Sequence, residues 1–430
     1  MDEQLTIEKV AFEGRGVARR RDGKVVFVEG ALPGDTVLDN PSIIKKKFDV
    51  IQAPTWIDKS PHHMPSKCPI AYECGGCQWQ YANYEDQVSW KKDFIREALN
   101  RIGQIAELPP LEFFAPSQNL GYRPRLNLHG LPVDGKLKWG FYKKGSHQLV
   151  QANECAVSTP LISEALKYLN LAQIFYKNKT QLHFQEITPL EHQEKSLTIT
   201  ITANSSKKLK TAISSALRDL PIYWIGSIDD VSKAPLTIWS LHHSLKFLTK
   251  PNQFQQSHHE QNHRLQNIIE SEVELRKPDS ITDLFCGSGN LSLRLANKGY
   301  SVLGLETCKT AIRVASENLK INGIEGDYKC MPAKQISMLL QKSNRRNHLM
   351  IVDPPRAGLL KAIDDILELK PTTIIYVSCQ PNTLARDTSR IIGAGYKISR
   401  LIGMDFFPGT YHVESVLIFD RSGEESEEKI

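Results

Sequence analysis

The order of apolar and polar positions divides the chain into three segments with different periodicity. After Ser280, short apolar runs alternate with stretches whose apolar residues recur at helical spacing. The apolar runs at residues 281–285, 302–305, 350–352 and 373–377 predict strands, and the stretches at residues 291–297 and 310–321 predict helices. Strands that alternate with helices are typical of a parallel sheet. We therefore predict an α/β, Rossmann-like, doubly wound domain over residues 251–430.

The first 57 residues show a different pattern, in which short strand-like runs are separated by turns. Leu5–Ile7 and Val25–Val28 predict strands, while Gly14, Gly23 and Pro33-Gly34 predict turns. Short strands with frequent turns are typical of small β-barrels. We predict an OB-type barrel over residues 1–57.

The middle of the chain mixes the two patterns. Residues 84–102 predict a helix that ends near Gly103. From about residue 120 to residue 250, apolar and polar positions alternate, as in Leu197–Ile201, which is typical of strands with one buried face. We predict a central mixed α+β domain, mostly antiparallel, over residues 58–250.

Charge is distributed unevenly, although the net charge of the 430 residues is only +6. Basic residues are concentrated near the amino terminus, at Arg15, Arg19, Arg20, Arg21, Lys24, Lys45, Lys46 and Lys47. Residues 424–428 read Glu-Glu-Ser-Glu-Glu. A basic module on a near-neutral body fits an anionic partner such as nucleic acid, and a solvated basic face explains the charge equally well.

The expected location follows from the apolar runs. No run approaches the roughly 18 residues needed to span a membrane, and the first residues, Met1–Gln4, lack a signal-peptide pattern. We expect a cytoplasmic protein whose thiols are reduced. The eight cysteines are then candidates for metal ligands, nucleophiles or core residues.

Three cysteines, Cys68, Cys74 and Cys77, lie within ten residues in a C-x5-C-x2-C pattern. Gly75 and Gly76 let the backbone curl so that the sulfur atoms converge. Cys155 is the best candidate for a fourth ligand, because the remaining cysteines lie in the doubly wound segment. Zinc and an iron–sulfur cluster both accept four thiolates, and the spacing favours neither clearly. Three unrelated core cysteines are the alternative.

A glycine-rich turn follows the first strand of the doubly wound segment. Gly287 and Gly289 allow a ligand to approach the backbone, and Glu306 ends the next strand, where it could accept hydrogen bonds from ribose hydroxyls. Ser292 replaces the third glycine of a dinucleotide motif. This difference favours S-adenosylmethionine over a dinucleotide; a purely structural turn is the alternative.

Two further segments predict catalytic chemistry. Asp353-Pro354-Pro355-Arg356 follows a strand, and Arg356 stands where amine methyltransferases carry an aromatic residue. Cys379 follows another strand and borders a polar turn, where doubly wound folds place active sites. A nearby arginine would lower the pKa of this thiol and favour the nucleophilic thiolate.

Thiolate addition to carbon 6 of uracil makes carbon 5 nucleophilic, and a base must later remove the carbon 5 proton. His412 and Glu414, in the segment Gly409–Ser415, are candidates for this base. The spacing of the residues does not distinguish between them.

Together these segments resemble the RNA (uracil-5-)-methyltransferases, most closely the bacterial enzymes that modify 23S ribosomal RNA. Residues 14–19 and 32–35 resemble a TRAM domain, an RNA-binding barrel of the OB type. Residues 121–125 and 140–146 resemble central-domain segments of the family, and Phe254-Gln255-Gln256 matches its Phe-x-Gln motif. The resemblance covers nearly the whole chain.

The resemblance implies specific roles for residues of this chain. It implies a [4Fe–4S] cluster on Cys68, Cys74, Cys77 and Cys155. It implies Cys379 as the nucleophile and Glu414, rather than His412, as the general base. It also implies an S-adenosylmethionine site lined by Gln256, Phe285, Asn290, Glu306 and Asp353.

Two positions depart from the family pattern. Ser257-His258 replaces an expected asparagine, and Met331-Pro332-Ala333 stands where a polar residue usually meets adenine. The expected partner is RNA, most simply 23S ribosomal RNA, and the expected state is a monomer. Alternative interpretations are methylation of a transfer RNA uridine, RNA cytosine-5 methylation, a noncatalytic RNA-binding protein and an NAD-dependent oxidoreductase with an iron–sulfur cluster.

Overall fold

The computed structural model describes residues 3–189, 194–201, 206–227, 237–242, 245–250, 253–332 and 348–422. The helices are α1 Tyr84–Arg101, α2 Pro160–Leu171, α3 Lys207–Ala216, α4 His259–Arg276, α5 Leu293–Asn297, α6 Lys309–Asn322, α7 Ala362–Leu369 and α8 Pro381–Gly393. The strands are β1 Gln4–Thr6, β2 Lys9–Val10, β3 Gly16–Arg19, β4 Val25–Val28, β5 Thr36–Leu38, β6 Ile43–Ile44, β7 Phe48–Ile51, β8 Trp56–Asp58, β9 Leu111–Phe114, β10 Arg125–Val133, β11 Lys136–Tyr142, β12 Leu149–Gln151, β13 Thr180–Pro189, β14 Ser196–Ile201, β15 Ile222–Ser227, β16 Thr237–His242, β17 Leu245–Thr249, β18 Ser280–Leu284, β19 Val302–Glu306, β20 Asp327–Cys330, β21 His348–Val352, β22 Thr373–Ser378, β23 Tyr396–Met404 and β24 Glu414–Arg421.

The amino-terminal segment forms a small β-structure from two sheets, with strand orders β1-β5-β8 and β2-β3-β4-β7-β6. Alternate residues of these short strands point inward, and Val26, Val28 and Ile51 are among the fully buried side chains at the centre. This is the barrel-like module that the turn-rich pattern predicts.

The central segment is a largely antiparallel sheet of order β12-β11-β10-β13-β14-β15, in which only the β14–β15 pair is parallel. One face packs against α2 and α3, so apolar side chains such as Leu128, Phe184 and Ile199 are fully buried. The other face carries polar residues, because neighbouring side chains of a strand point to opposite faces. Arg125, paired with Gln185 across the strands, lies on this polar face.

The third segment is built on a sheet of order β20-β19-β18-β21-β22-β24-β23-β9. The five strands from β20 to β22 are parallel, and β24 enters antiparallel between β22 and β23. Apolar clusters cover both faces of the sheet, as a doubly wound fold requires. The predicted fold class is confirmed: a Rossmann-like α/β domain follows an amino-terminal barrel and a mixed central domain.

Two elements of the expected central segment pack against the doubly wound sheet. β9 pairs in parallel with β23, with Leu111 beside Leu401. α1 packs along α8 and β23. The predicted domain boundaries at residues 57/58 and 250/251 stay predictions. Helix α1 and strand β9, within residues 84–114, pack against the doubly wound sheet of the third segment.

Local differences from the predicted elements have identifiable causes. α5 begins at Leu293 rather than at Leu291, because Ser292 turns its side chain into the core. Residues 424–428 and Ala333, which the sequence singled out, lie outside the described residues. Among the described helices, none combines the length and apolar character needed to cross a membrane.

Candidate active site

The ends of neighbouring strands bring the predicted site residues to one edge of the doubly wound sheet. Phe285 follows β18, and Glu306 ends β19. Asp353 follows β21, and Cys379 follows β22. Glu414 begins the antiparallel strand β24 and so lies at the same edge. Open α/β sheets bind their ligands at this edge, which makes it the candidate active site.

The turn after β18 has a backbone that few sequences can adopt. Phe285 has a positive φ of 64° and donates its backbone N–H to Leu305 O at 2.9 Å. Gly289 has φ 88°, and a Cβ there would lie 2.8 Å from Tyr328 Oη. Glycine is therefore required at this position. The turn leaves the backbone accessible to a ligand.

Beneath this turn lies a buried carboxyl group that the sequence analysis did not single out. Ser292 Oγ donates a hydrogen bond to Asp283 Oδ2 at 2.5 Å and lies 3.0 Å from Tyr328 Oη. Burial, together with the negative charge of Asp353, raises the pKa of Asp283 to about 7, although the hydrogen bond from Ser292 acts in the opposite direction. The serine in place of a third glycine thus has a structural role: its hydroxyl binds a buried carboxyl group. A carboxylate in the middle of a short strand with apolar residues at Ile281 and Leu284 was the available signal.

Asn290 is held mainly by helix α4. Its side-chain amide exchanges hydrogen bonds with the amide of Asn262, at 2.8 and 3.1 Å. Gln266 Nε2 donates to both the Asn290 side-chain oxygen, at 3.1 Å, and the Asn290 backbone oxygen, at 2.8 Å. These bonds fix the end of the glycine-rich turn, so Asn290 shapes the predicted donor site even where its own oxygen is already engaged.

Gln256 is nearly fully buried, and its Nε2 lies 3.5 Å from Asp353 Oδ2. Burial raises the pKa of Asp353 to about 7. An ionised carboxylate here would gain from a neighbouring cation, because little water reaches it. The Gln256–Asp353 pair is therefore suited to lie beside a positively charged ligand atom.

The unusual Ser257-His258 pair has a packing role. The His258 ring stacks on Tyr122 with centroids 4.8 Å apart, and burial lowers the pKa of His258. Tyr122 in turn donates from its hydroxyl to Pro408 O at 3.1 Å. His258 thus ties the segment that carries Gln256 to the central domain.

Glu306 presents its carboxylate at the end of β19. One oxygen, Oε1, accepts hydrogen bonds from the backbone N–H groups of Thr307, at 2.6 Å, and Cys308, at 2.9 Å. Within the described part of the chain no hydrogen bond to the second oxygen, Oε2, is found. Glu306 is thus oriented by its own backbone and keeps an acceptor for a ligand hydroxyl.

The predicted nucleophile and the predicted base face each other across two strands. The antiparallel β22–β24 register pairs Ser378 with Ser415, so the next residues in the same register are Cys379 and Glu414. Directly opposed residues of such strands have Cα atoms roughly 4.5–5.5 Å apart. The Cys379 thiol is half-buried, and Glu414 is buried.

The pKa of Cys379 departs from the sequence-based expectation. Burial and the negative charge of Glu414 raise it to about 12, whereas Arg356 acts in the opposite direction. An arginine is present as expected, but its effect is outweighed because the site is shielded from water and carries two carboxyl groups. Burial, with the charge of Asp353, also raises the pKa of Glu414 well above its usual range. The thiol therefore needs a base to take its proton.

His412, the alternative base, has a different environment. Burial, with the nearby positive charge of Arg356, lowers its pKa to about 4. Its Nε2 lies 3.4 Å from Arg356 Nη2, and its ring lies against Tyr411, with centroids 4.2 Å apart. His412 is therefore a neutral ring at the mouth of the site. The register places Glu414, and not His412, opposite the thiol.

The loop that leads from β23 to Glu414, residues 405–413, is anchored by α1. The buried Lys91 ammonium donates to Asp405 Oδ1 at 2.7 Å and to Phe407 O at 3.1 Å. Tyr84 donates to the second oxygen of Asp405 at 3.0 Å. Gln87 Oε1 accepts from the Gly409 N–H at 2.9 Å. Sequence reasoning missed these anchors, which lie more than 300 positions away from their partners.

All four predicted cysteine ligands line one cavity of about 170 Å³. Its apolar walls include Ile70, Ala71, Phe141 and Val157, and Arg123 also reaches it. Burial raises the pKa of Cys77 to about 12 and that of Cys74 to about 11, and the neighbouring thiols add to the effect. The Gly76 N–H points at Cys74 Sγ at 3.4 Å. Buried thiols that converge in this way are suited to a shared positive centre.

Among the described residues, no group of three or more His, Cys, Asp or Glu side chains has the arrangement of a metal site. Gly75 is required for a different reason from the predicted curl, since a Cβ there would lie 2.9 Å from the Lys144 backbone.

Comparisons with known proteins agree with this geometry. A model of the tRNA (Uracil-5-)-methyltransferase family matches residues 237–422, and a model of the TRAM domain matches residues 3–38. The chain is 30% identical over 431 residues to the 23S rRNA (uracil(1939)-C(5))-methyltransferase RlmD of Marinomonas sp. (strain MWYL1), with 96% of this chain and 94% of the relative covered. It is also 30% identical over 444 residues to an uncharacterised RNA methyltransferase of Gloeobacter violaceus, with 97% and 96% covered.

A similar solved structure is the Pyrococcus abyssi tRNA (uracil-54, C5)-methyltransferase in complex with S-adenosyl-L-homocysteine. It superposes with a TM-score of 0.72 at 24% identity and covers 97% of this chain and 100% of that chain. At this identity the likeness supports the fold.

Proposed function

The chain belongs to the RNA (uracil-5-)-methyltransferase family, and from this premise we propose that it methylates carbon 5 of a uridine in 23S ribosomal RNA. S-adenosylmethionine is the proposed methyl donor. The observation that supports the proposal is the β22–β24 register, whose last pair, Ser378 and Ser415, is followed by Cys379 and Glu414 at the edge of the sheet.

The described residues fit the donor. Glu306 keeps a carboxylate oxygen for the ribose hydroxyls, next to the glycine-rich turn that Asn290 fixes. Asp353 and Gln256 form the wall where a sulfonium would sit, since a buried carboxylate stabilises a cation. Phe285 packs partly into the core beside the turn and would line the same pocket. The donor supplies an activated methyl group, and these residues orient it.

The chemistry requires Cys379 and two carboxylates to act in sequence. Cys379 gives its proton to the carboxylate of Asp353, and its sulfur bonds to carbon 6 of uracil, which makes the ring an enolate. Carbon 5 then takes the methyl group from the donor sulfonium, which leaves as a neutral thioether. Glu414 removes the carbon 5 proton and later releases it to water, the carbon 6–sulfur bond breaks, and the thiolate of Cys379 recovers its own proton from Asp353. The net products are 5-methyluridine, the demethylated donor and one proton.

The choice of ribosomal RNA rests on similarity to a relative that is named for it. The Marinomonas relative named for 23S rRNA aligns over nearly its full length, and the amino-terminal residues match the TRAM model. A uracil stacked in a helix cannot meet a half-buried thiol, so the enzyme must use an unpaired loop or flip the base.

A methylation assay tests the proposed function. Unmodified 23S ribosomal RNA incubated with enzyme and labelled S-adenosylmethionine should yield label in 5-methyluridine after digestion to nucleosides. Label in 5-methylcytidine would favour the cytosine-specific alternative, and label only with a transfer RNA transcript would transfer the proposal to that substrate. A noncatalytic RNA-binding protein would transfer no label, and an NAD-dependent oxidoreductase would bind the nicotinamide cofactor in preference to the methyl donor.

We also propose that Cys68, Cys74, Cys77 and Cys155 hold a [4Fe–4S] cluster with a structural role. The support is the cavity that all four cysteines line and its apolar walls. Methyl transfer includes no redox step, so the cluster would act by joining residues 68–77 to residue 155.

Metal analysis separates the two candidate centres. Protein purified without oxygen should contain about four iron atoms and four acid-labile sulfides per chain, as [4Fe–4S] stoichiometry requires. The variant Cys155→Ser should lose this iron, whereas Cys330→Ser, which removes an exposed thiol outside the cavity, should retain it. One zinc and no iron in the wild type would contradict the cluster.

A further inference from the structure

The positive charge of the barrel is distributed differently from what the sequence suggests. Most of its cations are neutralised by carboxylates: Lys9 by Glu97, Arg15 by Glu29, Arg19 by Glu8, Arg20 by Asp39 and Asp49, and Lys24 by Asp49. Within residues 3–58, all of which are described, four cations have no such partner: Arg21, Lys45, Lys46 and Lys47. All four are exposed. The local excess of charge is therefore confined to a small part of the barrel.

These four residues, named here the basic corner, lie on two adjacent turns. The parallel β4–β7 pairing sets Val25 beside Phe48, so the turns that precede both residues are neighbours. Asp49 joins the turns, because its carboxylate accepts from Lys45 N at 3.1 Å and from Lys24 Nζ at 2.7 Å. Hydrogen bonds from Lys24 and Arg20 lower the pKa of Asp49 to about 2. The charge of Asp49 is therefore balanced by Arg20 and Lys24 and does not neutralise the basic corner.

Exposed apolar side chains flank the lysines. Ile44 is 72% exposed and Phe48 is 36% exposed, with the Phe48 ring edge-to-face against Phe27. The one carboxylate in these turns is Asp22, which accepts from the Lys24 N–H at 2.9 Å. Four cations against one carboxylate, beside an aromatic face, match a nucleic-acid strand, since phosphates pair with lysine and bases stack on aromatic rings.

The basic corner and the contact with the active-site loop lie at opposite ends of strand β3. The turn that enters β3, near Phe12, contacts the active-site loop: the rings of Phe12 and Tyr411 lie 5.1 Å apart. The basic corner adjoins the other end of the same strand, which spans Gly16–Arg19. Four strand residues cover roughly 13 Å. The basic corner is therefore separated from the contact with the active-site loop by about the length of β3.

From this geometry we propose that the basic corner binds phosphates of the substrate RNA at a distance from the target uridine, and that it contributes affinity without contributing to the chemical step. The inference rests on the proposed function and identifies the part of the barrel that RNA uses. The neutralised arginines of the barrel have a structural role instead.

The test is RNA binding by the triple variant Lys45→Gln/Lys46→Gln/Lys47→Gln. Affinity for unmodified 23S ribosomal RNA is measured by filter binding at several potassium chloride concentrations. Loss of three phosphate contacts should reduce the slope of log affinity against log salt by about 2, at about 0.7 per contact for a single strand. Affinity at low salt should fall at least about tenfold, because each lost contact weakens binding independently of sequence. The rate of methyl transfer at saturating RNA should not change.

A variant with the same change in net charge provides the control. Lys207→Gln/Lys208→Gln/Lys210→Gln alters three lysines on α3, which covers the apolar face of the central sheet. Its salt slope should equal that of the wild type. Equal slopes for wild type and the barrel variant, or equal losses in both triple variants, would overturn the inference. A wild type that binds no ribosomal RNA would instead overturn the proposed function, so the two failures are distinguishable.

Discussion

Replacing Cys379 by alanine should abolish methyl transfer, with a loss of at least about 10⁴-fold, the scale seen when a covalent nucleophile is removed. Carbon 5 of uracil is too weak a nucleophile unless sulfur is first added at carbon 6. The measurement uses 23S ribosomal RNA transcribed with 5-fluorouridine. Fluorine cannot be removed as a proton, so the wild type plus donor should form an RNA–protein adduct that survives a denaturing gel. The Cys379→Ala variant should form none.

Cys330→Ala is the matched control for this experiment. Cys330 is an exposed thiol at the end of β20, beside Glu306 but four strands away from β22, which precedes Cys379. This variant should still form the adduct when the donor is saturating. An adduct that persists in Cys379→Ala would show that another residue attacks the base. An absent adduct in the wild type, despite RNA and donor binding, would count against the covalent mechanism itself.

Replacing Glu414 by glutamine should have the opposite effect on the adduct. Addition and methyl transfer can occur, but the carbon 5 proton has no acceptor, so the methylated intermediate remains attached to Cys379. We expect turnover to fall by about 10²–10⁴-fold, the usual contribution of a general base. We also expect a stable adduct with ordinary uridine RNA, visible on a denaturing gel and dependent on donor.

His412→Gln tests the alternative base. His412 is a neutral ring at the site mouth, so this variant should retain turnover within about tenfold and accumulate no adduct. The pH dependence provides a second check. Because the pKa of Glu414 is raised, its basic form grows as pH increases, and release of the wild-type adduct should accelerate with pH. A pH-independent release rate, or adduct accumulation in His412→Gln, would argue against Glu414.

The sequence predicts most of the active-site edge because that information is local. Each strand end carries its functional residue directly after an apolar run, as with Asp353 and Cys379, and the parallel topology brings such ends together. The opposition of Cys379 and Glu414 also follows once β24 is known to pair with β22. The local sequence does not distinguish His412 from Glu414 as the base, because their positions relative to Cys379 depend on the register of β24 against β22.

What the sequence could not predict depends on contacts between distant segments. The pairing of Ser292 with Asp283 requires Tyr328 to pack beneath the glycine turn. Arg356 lowers the pKa of the Cys379 thiol, as expected, but burial raises this pKa by more than the arginine lowers it. The burial of a side chain cannot be read from the sequence alone. The basic amino terminus suggested an anionic partner or a solvated basic face, whereas carboxylates elsewhere in the fold neutralise most of its cations.

Strand β9 and helix α1 have a consequence for how separable the catalytic unit is. The last strand of the catalytic sheet comes from residues 111–114, and the lysine that holds the loop before Glu414 comes from position 91. A fragment that began at residue 251 would expose the unpaired backbone of β23, and exposed strand edges promote aggregation. It would also leave the buried Asp405 carboxylate without the ammonium group of Lys91. During synthesis, β9 cannot pair with β23 until residues 396–404 have left the ribosome. The catalytic domain therefore cannot be separated by a single cut in the chain, because it contains residues that precede the central sheet as well as residues that follow it.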